Sequence, residues 1–139
     1  MKKIYIISSL VIFVAAVFIY QYMGFRDQPL TTELYSTGLK IVDIRTAEEW
    51  KQTGIVKGSY PISLYDKKGK CDFERFISDV KIVMKTSEPF AVICKAGIMS
   101  SIASSILEKA GFRKVISIEG GIIEAEKNNI PFESYAKES

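Results

Sequence analysis

The chain has 139 residues, 47% of them hydrophobic, and a formal net charge of +3 without a single histidine. That length suits one small domain plus an appendage. Histidine triads and histidine metal sites are excluded, two cysteines without clustered partner ligands argue against structural zinc, and interspersed charges without a basic stripe argue against a nucleic-acid partner.

Residues Ile4 to Phe25 contain no charged side chain, and Lys2 and Lys3 precede them. At about 1.5 Å per residue the stretch would cover roughly 30 Å, the thickness of a bilayer core. Tyr5, Tyr20 and Tyr22 lie near its ends, where amphipathic aromatics favour the interface. The expectation is a transmembrane anchor over 1–25, with the two lysines cytoplasmic and the rest of the chain on the extracytoplasmic, periplasmic side. A signal peptide cleaved after Ala16, giving a secreted domain, is the alternative.

Residues 26–32 read as a linker and 33–139 as the folded domain. Thr31 or Thr32 can cap a short helix that Gly38 ends, and Leu39 to Ile44 reads as a first strand. Thr46-Ala-Glu-Glu49 has capping-box spacing and opens a helix carrying Trp50, closed by Gly54. Trp50 reads as core; Glu48 and Glu49 read as cap and solvated face. Tyr60 to Leu64 suggests a short strand, and Asp66 to Lys70 a polar turn.

From Asp72 to Lys85, apolar residues at Phe73, Phe76, Ile77, Val80, Val83 and Met84 follow a helical period, stopped by Glu88-Pro89. Strand Phe90–Ile93, a loop Lys95–Met99, a helix from Ser100 to Ala110, strand Val115–Ile118, a Gly120-Gly121 turn and a helix Ile122 to Lys127 complete the series. Strands alternating with helices predict an α/β fold, three layers deep, around a mainly parallel sheet.

In such sheets reactive groups gather beyond the carboxyl ends of strands, where Cys94 lies. The loop and helix N-terminus after it leave backbone N–H groups unpaired, and these donors favour a thiolate. Cys94 is therefore the candidate nucleophile. Cys71, in a polar turn, can pair with Cys94, resolve its products or do nothing.

Ile41-Val-Asp43-Ile-Arg45, Glu48-Glu-Trp50 and Gly54-Ile-Val-Lys-Gly58-Ser59 resemble the first signature of the rhodanese family of single-domain sulfurtransferases. Ile93-Cys94-Lys-Ala-Gly97-Ile-Met-Ser100 resembles its active-site loop, commonly Cys-x-x-Gly-x-Arg-Ser. Ala110-Gly-Phe112 through Glu119-Gly120-Gly121 to Ile130-Pro131 is similar to its closing segment. The likeness covers about residues 30–133.

This resemblance implies sulfur transfer through a Cys94 persulfide, from a small anionic donor such as thiosulfate to a small-molecule or protein thiol. The loop Lys95, Ala96, Gly97, Ile98, Met99 and Ser100 would bind the substrate. Asp43 and Arg45 would support the fold as an ion pair, and no cofactor or metal would be needed. Two positions depart from the family pattern: Met99 replaces the loop arginine, and Ile55 stands where a histidine is frequent. Without the arginine fork, thiosulfate binding should weaken by about one to a few kcal/mol. Its absence also counts against phosphatase or arsenate reductase chemistry. A relay or binding module without thiosulfate turnover, and thiol–disulfide exchange between Cys71 and Cys94, are the alternatives to an enzyme.

Overall fold

A computed structural model describes residues 9–15, 17 and 27–136. The expected anchor falls mostly outside these residues; within it, 9–15 and 17 are helical. Among the described residues no helix is long and apolar enough to cross a membrane.

The domain is built on five parallel strands: β1 (Asp27–Pro29), β2 (Ile41–Asp43), β4 (Tyr60–Pro61), β5 (Phe90–Ile93) and β6 (Val115–Glu119). Their spatial order is β1-β6-β5-β2-β4, and β5 pairs with β2 on one side and β6 on the other. Cys94 thus leaves the carboxyl end of the central strand. Strands β3 (Ile55–Val56) and β7 (Phe132–Glu133) form a separate antiparallel pair.

Both faces of the sheet are covered, and the two-residue period of a strand divides the core. Phe90, Val92 and Cys94 face one side, with Val42, Phe76, Val80, Ala103, Leu107, Phe112 and Val115. Ala91 and Ile93 face the other, with Leu30, Ile41, Ile116, Ile118, Ile122 and Ala125. The first side is covered by α3 (Phe73–Val83) and α4 (Ile98–Lys109), the second by α1 (Thr32–Ser36) and α5 (Gly121–Lys127). Phe90 and Phe112 meet nearly edge-on at 5.3 Å and 78°, a geometry that adds about 0.5–1.5 kcal/mol beyond their burial.

The expected capping box is present. Thr46 Oγ1 accepts from Glu49 N, and Glu49 Oε2 accepts from Thr46 N, at the start of α2 (Ala47–Thr53). Thr31 Oγ1 accepts from Leu34 N to cap α1, and Asp72 Oδ1 from Arg75 N to cap α3, each without the reciprocal bond. Trp50 is buried and packs against the ring of Tyr135 at 5.1 Å.

The structure departs from expectation at several boundaries. The stretch expected as linker contributes β1, which pairs with Ser117 to Glu119. It is a three-residue edge strand containing Pro29, and only at an edge is the missing N–H of proline harmless. The strands expected over Leu39 to Ile44 and Tyr60 to Leu64 shorten to β2 and β4. Helix α3 ends at Val83, before Pro89 can act. Helix α4 begins at Ile98 instead of Ser100, because Gly97 in a left-handed conformation turns the chain straight into it. The β3–β7 pair is too short for alternation to reveal.

Candidate active site

Cys94 is buried, 4% exposed, at the junction of β5 and the loop to α4. The N–H groups of Gly97 and Ser100 donate to its Sγ at 3.1 and 3.4 Å. Helix α4 has Gly97 at its N-cap and no side-chain cap. A helix N-terminus needs acceptors for its first N–H groups; here the sulfur supplies one of them. The thiol also lies 3.5 Å from Ser100 Oγ. Two backbone donors and the positive end of a helix dipole thus converge on one sulfur.

Two glycine positions make this possible. Gly97 has φ +99°, and a Cβ there would stand 2.9 Å from Gly120 N. Gly121 has φ +56°, and a Cβ there would collide with the carbonyl oxygens of Cys94 and Lys95. Those carbonyls accept from Ile122 N at 2.9 Å and Ile123 N at 3.3 Å. The start of α5 therefore clamps the Cys94 loop from the opposite side to α4. In the sequence the glycine pair reads only as a turn; its role as a clamp depends on two distant loops meeting.

The remaining loop side chains are largely apolar and outward. Lys95, Ala96 and Ile98 are exposed, Met99 is half-buried against the core that contains Cys94, and Ser100 is buried. Ile98 is 73% exposed, and Ile102 and Ile123 are also exposed.

Asp43 and Arg45 lie apart from the sulfur. The guanidinium holds the Asp43 carboxylate through Nη2 at 2.7 Å and Nε at 3.0 Å, and also donates to Thr53 Oγ1 and Gly54 O. Both side chains are buried. The pair therefore ties the end of β2 to the end of α2, with its donors and acceptors matched.

Cys71 is exposed, and both cysteines are free thiols. Cys71 forms an isolated backbone bridge with Tyr65, whose side chain packs on the core around Cys94. Burial pushes the Tyr65 phenol upward, and the nearby charges of Cys71, Cys94 and Glu49 push in the same direction. Its hydroxyl therefore stays protonated, within electrostatic reach of both thiols. Sequence reasoning missed this tyrosine, and also missed Ser117. The signal for Ser117 was one hydroxyl inside the otherwise apolar run Val115-Ile-Ser-Ile118.

A buried cysteine beyond the central strand of a parallel sheet, in a loop closed by a helix N-terminus, is the feature that sets this α/β domain apart. A family model described as the rhodanese-like domain matches residues 28–127, so the chain belongs to the rhodanese-like domain family. It is 23% identical over 108 residues to thiosulfate sulfurtransferase 18 of Arabidopsis thaliana, covering 76% of this chain and 79% of that protein. It is 31% identical over 86 residues to the tRNA uridine(34) hydroxylase of Protochlamydia amoebophila, covering 60% of this chain but only 25% of that much longer protein. Among solved structures, a rhodanese-like domain protein from Staphylococcus aureus superposes with a TM-score of 0.58 at 21% identity, covering 78% of this chain and 99% of that one. That last likeness is one of fold.

Proposed function

We propose that this protein is a sulfurtransferase that carries sulfane sulfur on Cys94. The observation that carries this reading is the pair of N–H donors on Sγ, from Gly97 and Ser100, at the N-terminus of α4. In the first displacement the Cys94 thiolate attacks the outer sulfur of a donor such as thiosulfate. A new S–S bond forms, the donor's S–S bond breaks, and sulfite leaves with the electron pair. In the second, an acceptor thiolate attacks the outer sulfur of the persulfide, and Cys94 leaves as thiolate. Gly97 and Ser100 would hold the inner sulfur in both its ionised and persulfidated forms.

Intact-mass measurement after incubation with thiosulfate tests this. The expected result is one added sulfur, mapped to Cys94 and absent in Cys94→Ser. Transfer of that sulfur to cyanide or a thiol would complete the cycle; a chain that never gains sulfur from thiosulfate or from a persulfidated thiol would overturn the proposal.

The apolar loop supports a second reading, a relay that takes sulfur from another protein without thiosulfate turnover. Met99 cannot grip an oxyanion, and Ile98 offers an apolar surface beside the thiol. Loading from a persulfidated protein but not from thiosulfate, even in Met99→Arg, would select this reading.

We further propose that the uncharged stretch from Ile4 to Phe25 tethers the domain to a membrane with Cys94 on the extracytoplasmic side. Support comes from the length of that stretch, the lysines ahead of it and the exposure of Leu10 to Val14. Membrane fractionation and protease accessibility of the domain in intact cells test it; a domain recovered with the soluble cytoplasmic fraction would overturn it.

A further inference from the structure

Strand β6 places one buried polar side chain on the face it turns toward α4. Ser117 is 1% exposed and stands in register with Val92. Its hydroxyl lies 2.9 Å from Ser100 Oγ. Ser100 Oγ in turn lies 3.0 Å from the carbonyl of Gly97 and 3.5 Å from Cys94 Sγ. The cluster is thus a buried chain running from the sheet to the sulfur.

A serine hydroxyl has one proton and two lone pairs. Were Ser100 to give its proton to Ser117, the Gly97 carbonyl would lose its hydroxyl donor. The Ser117 proton would then need another acceptor, and the structure shows its hydroxyl bonded to Ser100 alone among the described residues. A buried donor without an acceptor is costly. The arrangement that leaves none has Ser117 donating to Ser100. The single proton of Ser100 is then free to alternate between the Gly97 carbonyl and the sulfur.

We propose that Ser117 is a positioning residue for Cys94: it commits the Ser100 hydroxyl to act as a third donor to the thiolate, beside the N–H groups of Gly97 and Ser100. In the thiol form the S–H donates to Ser100 Oγ, while Ser100 donates to the Gly97 carbonyl. On ionisation the thiol proton passes to solvent, neither serine gains or loses a proton, and Ser100 turns its hydroxyl toward the sulfur. Ser117 keeps donating to Ser100 in both states, polarising the hydroxyl that the thiolate receives. The proposal rests on Cys94 being the reactive sulfur.

The test is alkylation by iodoacetamide across a pH series, followed by mass at Cys94 on the full-length chain. This reads the thiolate without any sulfur donor or acceptor, so a failure of persulfide formation and a failure of this proposal are separate results. Ser117→Thr and Ser117→Val are nearly equal in size and both suit a strand, so they differ at this site by the hydroxyl. Ser117→Thr is expected to alkylate at the parental rate. Ser117→Val is expected to alkylate about 5-fold more slowly at neutral pH, the scale of one hydrogen bond, with the inflection of its rate–pH curve displaced to higher pH. In a Ser100→Ala background the Thr and Val variants should become indistinguishable. Equal rates and equal inflections for Ser117→Thr and Ser117→Val with Ser100 in place would overturn the proposal. So would a difference that persists undiminished without Ser100.

Discussion

Ser100 N donates to Cys94 Sγ at 3.4 Å, so the thiol takes the place of a side-chain cap at the start of α4. The same six-residue separation, closed by Gly97, links the end of a central strand to the first turn of α4. Chemistry and folding therefore depend on the same contacts, and substitutions in the loop should affect both.

Gly97→Ala is the sharpest case. An alanine at φ +99° is strained, and its methyl would stand 2.9 Å from Gly120 N. Strain of this kind costs about 1–3 kcal/mol. The N–H of residue 97 would also move off the sulfur. Denaturant unfolding should show the loss of stability, and sulfur loading of Cys94 should fall even at temperatures where the variant is fully folded. Full loading at the parental rate would contradict the dependence on that N–H.

Met99→Arg should act in the opposite direction on thiosulfate. Residue 99 lies in the first turn of α4, half-buried beside the core that holds Cys94. A guanidinium there would offer charge-assisted hydrogen bonds to an oxyanion, worth about 1.5–3 kcal/mol. The expected result is a lower KM for thiosulfate by roughly one order of magnitude or more, with little gain for a neutral persulfide donor. Equal gains for both donors would show that charge recognition is not what the loop lacks.

Arg45→Met separates support from chemistry. The Arg45 side chain is 3% exposed, and its removal would leave the Asp43 carboxylate buried without its ionic partner, held only by the N–H of residue 45, and would take one donor each from Thr53 Oγ1 and Gly54 O. Breaking a buried ion pair in this way costs about 3–5 kcal/mol. Chemical denaturation should register that loss. At a temperature where the variant remains folded, iodoacetamide should modify Cys94 at close to the parental rate, because the pair makes no contact with the sulfur.

The parts of this architecture that declare themselves locally were legible in the sequence. The Thr46–Glu49 capping box, the period of α3 and the apolar strand before Cys94 each depend on residues near one another in the chain. Cys94, Gly97 and Ser100 could be singled out for the same reason, since loop and helix start are contiguous. What escaped is set by pairing at a distance. Asp27 to Pro29 becomes a strand only because β6 offers it an open edge. Ser117 reaches the site through the packing of β6 against α4, and Gly121 through its approach to the Cys94 carbonyl. Tyr65 is brought near both thiols by a turn whose polar residues reveal nothing of its direction.

Tyr65 gives the domain an alkaline signature. Its phenol is pushed above the ordinary value of 10.0, first by burial and then by the charges of Cys71, Cys94 and Glu49. The folded protein thus holds this proton more tightly than the unfolded chain does. Below pH 10.0 both states are protonated and the group leaves stability independent of pH. Above it, the unfolded chain loses its proton first, so stability falls as pH rises toward and through the folded-state value. Tyr65→Phe removes this ionisation. Denaturant midpoints collected from neutral pH to the alkaline limit of folding should decline less steeply for Tyr65→Phe than for the parent, with the divergence beginning near pH 10.0. Parallel curves would show that the tyrosine is no more protected in the fold than in the unfolded chain.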